Sequence, residues 1–574
     1  MKHKNMNQSP LRTYISYFIF NIFLITLTSC GDFLSIEPQN DIVLENYWTQ
    51  EADVNSVLNS CYAQLESTDC IKRMVVWGEV RSDNMITGVG TPYALQQVFK
   101  ENILETNTYT QWQSFYQCIN RCNTVIHYAP SVNELDPNFT DSELRATIAE
   151  ATVIRALCYF YLIRAFRAVP YVTEPSMEES QNYQLPATSF EQILDNLIAD
   201  VERVKEDAVS SYGEKSIENT CRITRWAAYA LLADLYLWRG DWQKCIDYCD
   251  LIINQKIKEY KKEYEEDPTT TTIELYGRYP LISESTSNSN YAGNTYTQIF
   301  GEGNSFESIF ELNFVNNQAV TNATVADFYG SSTTRTGQIG VPTNLFEKIQ
   351  TGENKYFVKT DCRYLENMME SSNKVYVTKY VNQSVSFRTS TTTGDAPTVK
   401  ASIRSTAYAN WIIYRLTDIM LMRAEAEVEL AGDTQAGASL TEEQTRHYRN
   451  AFSSVIAVWK RANNKRTSAD TLVFADYATS RMAMEDLVLD ERQRELMFEG
   501  KRWFDLVRLS RREGENTRMI NKVLPKFQEN ASAIRIKLST QDILYWPYNR
   551  EELKQNPELK QNPAYQTDDT EQNF

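Results

Sequence analysis

Apolar residues recur at three- and four-residue spacing through most of the first 260 positions. This predicts helices over 49–66, 71–81, 109–128, 141–167 and 189–208, and a helical pair over 222–254. The segment from Arg155 to Phe166 is apolar nearly all round, so it is expected among other helices rather than at a surface, with Val169-Pro170 ending it. The pair at 222–254 reads as a helical hairpin. Trp226, Ala227, Leu231, Ala233, Tyr236 and Leu237 line one helix, Gly240-Asp241 make the turn, and Trp242, Cys245, Tyr248, Cys249 and Ile252 line the next. Small residues at a crossing and a glycine turn are what a tetratricopeptide-type hairpin needs, because its two helices approach closely. The pattern returns at Arg415 to Asp433, with Leu416, Ile419, Leu421, Ala424, Ala426 and Leu430 before Gly432-Asp433. The fold class expected is all-α, a helical-repeat scaffold.

Between these repeats, over 265–400, the helical period disappears. Serine- and threonine-rich runs such as Ser283 to Asn290 alternate with two short strand-like stretches, Glu307 to Phe314 and Lys374 to Tyr380. The chain therefore divides into a helical core over 43–264 and 401–574 and a loop-rich insertion over 265–400. Loops held on a rigid scaffold are where binding tends to reside. Helix is expected again over Leu487 to Leu509, where Glu491 and Arg494, Arg492 and Glu495, Glu499 and Arg502, and Asp505 and Arg508 stand three apart and can pair along one face. Carboxylates so matched by arginines read as an ion-pair network rather than an acid/base pair.

The N-terminus has a different character. Lys2, Lys4 and Arg12 precede a mostly apolar run from Tyr14 to Leu27, and Leu27-Thr28-Ser29-Cys30 closes it. This is the pattern of a secretory signal peptide over 1–29 ending in a lipobox, with Cys30 the expected lipidation site and 30–42, containing Pro38, a tether. Each buried methylene contributes about 0.8 kcal/mol, so two or three acyl chains would hold the protein on a membrane. Removing the signal segment leaves 55 basic against 75 acidic residues and a net charge of −20, which argues against nucleic acid as a partner. Beyond Cys30 nine cysteines remain, an odd number at spacings unlike a stapled domain. Cys118 with Cys122 and Cys245 with Cys249 read as helix packing. Only His127 and His447 follow the signal segment, and neither sits in a metal or nucleophile motif, so no metal, cofactor or catalytic residue is expected. The acidic Glu265-Glu266-Asp267 lacks a calcium-loop pattern.

Six stretches in order resemble the SusD/RagB family of outer-membrane nutrient-binding lipoproteins. They are Cys30-Gly-Asp-Phe-Leu, Ala151 to Pro170, Trp226 to Trp242, Arg415 to Ala426, Asp490-Glu-Arg through Asp505-Leu, and Trp546-Pro-Tyr through Asn556-Pro to Tyr565. The resemblance implies a SusD-like domain over 43–574, four tetratricopeptide-type units and an irregular ligand-facing part. It also implies a non-catalytic role at the cell surface: capture of a glycan and delivery to a SusC-like TonB-dependent transporter for import across the outer membrane. Alternatives are a peptide-binding member of the same family or a lipid-anchored scaffold without a small ligand. In starch-binding relatives contacts come from the loop after an early serine-aspartate motif, here Ser82-Asp83-Asn84, and from aromatics of the insertion. The loop from Met85 to Gln111 and the insertion contain no tryptophan. The candidate stacking residues are therefore Tyr93, Tyr276, Tyr279, Tyr291, Tyr296 and Tyr329, with Asp83, Asn84, Asn290 and Asn294 as polar partners.

Overall fold

The computed structural model describes residues 47–566 apart from 178–180, 267–271, 285–292, 316–320, 332–334, 344, 346–356, 358–360, 389–397, 434–438 and 464–470. The signal segment, Cys30, the tether, Asn290 and Tyr291 lie outside the described residues.

The helical scaffold begins with α1 (Glu51–Leu65) and α2 (Thr68–Val75), which runs into a wider π turn over Val76–Val80. It continues through α3 (Tyr93–Phe99), α4 (Gln113–Leu135), α5 (Asp141–Phe166), α6 (Phe190–Val204), α7 (Arg225–Arg239) and α8 (Trp242–Glu266). Starts are set by side chains that accept orphaned backbone N–H groups. Thr140 and Glu143 form a reciprocal cap on α5, while Ser189 and Thr224 cap α6 and α7. Helix α5 is buried on every side from Ala149 to Phe166 except by its caps. It is long and apolar enough to cross a membrane, yet 89% of its apolar window is buried inside the protein, which makes it the central core helix. Its neighbours pack in series: α4 on α5, α5 on α6, α6 on α7 and α7 on α8. The α7–α8 hairpin turns at Gly240, whose φ of +86° suits glycine and whose N–H caps Tyr236. Its tight crossing is filled by Ala227, Ala228, Ala230 and Ala233, all buried.

Among the described residues the strands come mostly from the insertion, joined by β1 before it and β10 after it, and form four small antiparallel sheets. Strands β1 (Ile86–Thr87), β2 (Ile273–Tyr276), β3 (Tyr279–Ile282), β4 (Ser308–Leu312) and β5 (Ile339–Gly340) precede α9 (Arg363–Asn367). Strands β6 (Met368–Ser371), β7 (Lys374–Val377), β8 (Asn382–Arg388), β9 (Thr398–Ile403) and β10 (Trp411–Arg415) follow. One sheet has the order β1-β5-β7-β6, and the others pair β2 with β3, β8 with β9, and β4 with β10. Strand β10 leads directly into α10 (Leu416–Ala431), so the β4–β10 pair ties the insertion to the returning helices. There α10 packs on α8, on α11 (Glu442–Ala462) and on α12 (Arg481–Leu496).

The continuous helix expected over 487–509 is broken. Helix α12 ends at Leu496 and α13 (Arg502–Glu513) starts six residues later, with Phe498 at φ +68° and Gly500 at φ +73° between them. Close packing causes the break. A Cβ on Gly78 would lie 1.9 Å from the Gly500 carbonyl oxygen, so two glycine backbones meet there directly. The adjacent Glu79 carboxylate accepts the N–H groups of Phe498 (2.9 Å), Lys501 (2.8 Å) and Arg502 (3.1 Å), capping α13 from another part of the chain.

The break redirects the charges. Glu491 with Arg494 and Asp505 with Arg508 do pair along the helix, at 2.8 and 2.9 Å. The other four residues turn inward. Arg492 binds Asp418 and Asp505, and Glu495 binds Arg363, Arg415 and Arg461. Glu499 binds Lys379 and Arg415, and Arg502 binds Asp83. These side chains are buried, so the ion pairs form an internal clamp between the insertion, β10, α11 and α12 rather than a solvated ladder. The cysteines of the described residues are unbonded, and Cys118, Cys122, Cys245 and Cys249 pack in the core.

Candidate functional site

The Ser82-Asp83-Asn84 motif is structural. Asp83 accepts both arms of the Arg502 guanidinium at 2.8 and 2.9 Å. Burial alone would raise its carboxyl, but Arg502 overrides this and holds it below the ordinary value. Asn84 is fully buried, donates to Glu79 at 2.7 Å and accepts from Gln493 at 2.8 Å. The motif therefore fastens the end of α2 to α12 and α13, with both side chains buried.

The tyrosines separate. Tyr296 and Tyr329 have no exposed surface: the Tyr296 hydroxyl donates to the Thr378 carbonyl at 3.0 Å, and that of Tyr329 to the Phe498 carbonyl at 2.8 Å. Tyr279 is buried against α11 with its hydroxyl 2.8 Å from Ser454 Oγ, and Tyr276 is buried as its cross-strand partner at the turn end of the β2–β3 hairpin. These four rings are core, because an aromatic on a short strand packed against helices is covered by them; the expectation that they stack on sugar is corrected. Asn294 is half-buried and holds Ser283 O and Gln298. Tyr93 alone among the described candidates is well exposed, at 70%. It stands on the first turn of α3, just after the Gly88-Val89 segment that bonds to Gln338 and Gly337 beyond the β1–β5 ladder. The post-motif loop and the insertion do meet there.

A concave site lies elsewhere. A cleft of about 850 Å³ opens between the start of α4, the loop segments 170–177 and 181–185, and α14 (Arg550–Gln555). Such a volume is within the range of ligand pockets, roughly 300–1,000 Å³. Its aromatic lining is Trp112, Tyr116, Tyr171 and Tyr183, the last 52% exposed. Around them stand Asn120, Asn123, Gln181, Asn182 and Gln555, and the carboxylates of Glu174, Glu551 and Glu552. The loop is held in shape by its own wall. The Tyr116 hydroxyl donates to Pro170 O at 2.6 Å, and Asn123 donates to Val172 O and Glu174 O at 3.2 and 3.1 Å. Asn556 closes the far side by donating to Leu185 O at 2.7 Å. Burial pushes the Glu552 carboxyl up, against a hydrogen bond from the Trp112 indole. The arrangement offers flat apolar faces beside fixed polar groups. In the sequence Trp112 and Tyr116 are indistinguishable from core positions of α4, and Pro170 to Pro186 reads as a turn; only the cluster of amides between those prolines hints at a lining.

Comparison with known proteins places this architecture. The model for the SusD family matches residues 282–565, and one described as "Starch-binding associating with outer membrane" matches 32–237. The chain belongs to the SusD family. Among curated relatives, SusD-like protein P38 of Formosa agariphila is 26% identical, over 96% of this chain and 98% of its own. Among solved structures, a SusD superfamily protein from Bacteroides thetaiotaomicron superposes with a TM-score of 0.62 at 19% identity, over 90% of this chain and 99% of its own. A laminarin-binding SusD-like protein superposes with a TM-score of 0.59 at 19% identity, over 90% and 100%. The tetratricopeptide-like helical scaffold read from the sequence is that of this fold.

Proposed function

We propose that the protein is a non-catalytic, lipid-anchored receptor at the outer-membrane surface that captures a glycan and passes it to a SusC-like TonB-dependent transporter. The observation that carries this reading is the cleft itself. Tyr171 and Tyr183 can stack on the apolar faces of sugar rings, while Asn182, Gln555 and the carboxylates bind hydroxyls. The family description of starch binding at the outer membrane and the laminarin-binding relative support the ligand class. Tyr93 serves as an outer platform: Asn107, in the segment that leads to Trp112, donates to Ala94 O of α3 at 2.8 Å and so ties the two regions together. Three carboxylates in a chain of negative net charge favour neutral over anionic glycans. Micromolar or weaker affinity suits a receptor that must release its cargo, since nanomolar binding would add about 4 kcal/mol to release.

The test is a binding screen of folded protein against neutral glycans, including β-glucans, alongside anionic glycans and peptide mixtures. Saturable binding of a neutral glycan is the expected result. Binding of peptides with no glycan bound would overturn it, as would release of reducing ends from a bound glycan. Co-purification of a barrel transporter from outer-membrane extract tests the delivery step.

A further inference from the structure

Glu284 follows β3, and Cys362 and Glu366 stand four apart at the start and end of α9, so both project from one face of that turn. All three are buried, at 3, 3 and 4% exposure. One ligand atom from each lies within 4.8 Å of the other two. Glu366 faces this cluster with its Oε1 buried and without a hydrogen-bond partner. Glu284 accepts the Gly293 N–H at 3.2 Å, and the Cys362 backbone N–H is fixed to Ala462 O at 3.1 Å. Among the described residues neither Glu284 nor Glu366 has an ion-pair partner. The nearby cation Arg461 is already bound to Glu307 and Glu495.

Two buried carboxylates beside a thiol and without a cation of their own are costly, because nothing offsets the loss of water around each ion. We propose that Glu284, Cys362 and Glu366 form a structural metal site that takes a divalent transition ion, zinc foremost. A thiolate in the set selects zinc over calcium or magnesium, which take oxygen ligands only. Zinc–sulfur and zinc–oxygen bonds of about 2.3 and 2.1 Å place tetrahedral ligands about 3.5 Å apart. Closure by roughly 1 Å from the separations here would complete the site. The ion would pin the end of β3 to α9, joining two parts of the insertion beside the buried charge clamp. Binding releases the Cys362 proton and any proton held between the carboxylates, leaving one negative charge next to Arg461.

The test uses the full chain purified in detergent, with zinc as the probe. Elemental analysis after loading and dialysis is expected to give about one zinc per chain, reduced at least tenfold in Cys362→Ser and in Glu366→Gln. X-ray absorption of the wild-type zinc protein is expected to show one sulfur and two or more oxygen neighbours, a measurement that stands even if the variants fail to fold. Folded wild type that retains less than about a tenth of an equivalent after loading would overturn the proposal; the two carboxylates would then share a proton. So would zinc bound without a sulfur neighbour, or held equally by wild type and both folded variants.

Discussion

Tyr183 and Tyr329 are the same residue type in opposite settings, one half exposed beside a cleft and one with no surface. Stacked aromatic pairs contribute about 0.5–1.5 kcal/mol beyond the area they cover, and a tyrosine face on a sugar ring is taken to contribute a similar amount. Tyr183→Ala is therefore expected to weaken glycan binding roughly three- to tenfold by isothermal titration calorimetry with an unchanged melting temperature, and Tyr93→Ala to weaken it less. Equal or greater loss at Tyr93 would move the principal contact to the α3 platform. Glu311 shows what burial does to a single carboxyl. Removed from water and given only Asn410, the Asn304 N–H and Ser308 as partners, it is pushed up to about 7. A carboxyl whose folded value is raised holds its proton in the native state where the unfolded chain has lost it. The stability this gives at low pH is lost as pH climbs from about 4.5 through 7, a change of about 3 kcal/mol. Glu311→Gln keeps an acceptor toward Asn410 and turns an amide donor toward the Ser308 hydroxyl, which then accepts. It is expected to raise the melting temperature at pH 8 and leave it unchanged near pH 4.5; a gain equal at both values would sink the argument.

At the scale of elements, periodicity carried most of the helices. Positions 141–167, 189–208 and the 222–254 hairpin appear as α5, α6 and the α7–α8 pair because their apolar faces alone decide what they pack against. The strand-like stretches at 307–314 and 374–380 appear as β4 and β7. What periodicity could not show was contact between distant segments. The break between α12 and α13 is imposed by Gly78 and Glu79, more than 400 residues earlier, and nothing local in Leu487 to Leu509 except Gly500 announces it. The same limit hid the fate of the arginines and of Asp83: spacing permits an i, i+3 pair, but only the fold decides whether a partner from another element lies closer. It hid the cleft too, since its walls come from α4, the loop segments 170–177 and 181–185, and α14. Two consequences are measurable. Gly78→Ala places a methyl group on the Gly500 carbonyl, where backbone cannot yield cheaply, and is expected to cost more than about 3 kcal/mol or to abolish soluble expression. Arg502→Met leaves Asp83 buried and unpaired and is expected to cost about 3–5 kcal/mol by chemical denaturation. If Arg502→Met together with Asp83→Leu recovers most of that loss, the penalty is the stranded charge rather than the missing pair.

For the whole molecule, charge sets how a ligand arrives. Residues 30–574 carry −20, and the cleft adds Glu174, Glu551 and Glu552 at its lining, so an approaching anion meets repulsion both at long range and at contact. A neutral glycan meets neither. The long-range part is screened by salt, with a Debye length of about 10 Å at 0.1 M falling to about 3 Å at 1 M, while the contact part between partly buried groups is screened much less. Raising salt from 0.05 to 1 M, roughly a fourfold shortening of the Debye length, is therefore expected to leave the affinity for a neutral oligosaccharide within about twofold. A sulfated or uronate-bearing oligosaccharide of equal length should bind at least tenfold more weakly at low salt and recover only part of that gap at high salt. Equal affinity for the two at low salt would mean that the carboxylates do not face the bound ligand. Substituting Glu551 and Glu552 by Gln together then separates the two contributions: narrowing of the gap assigns the discrimination to the cleft, and an unchanged gap assigns it to the field of the whole chain.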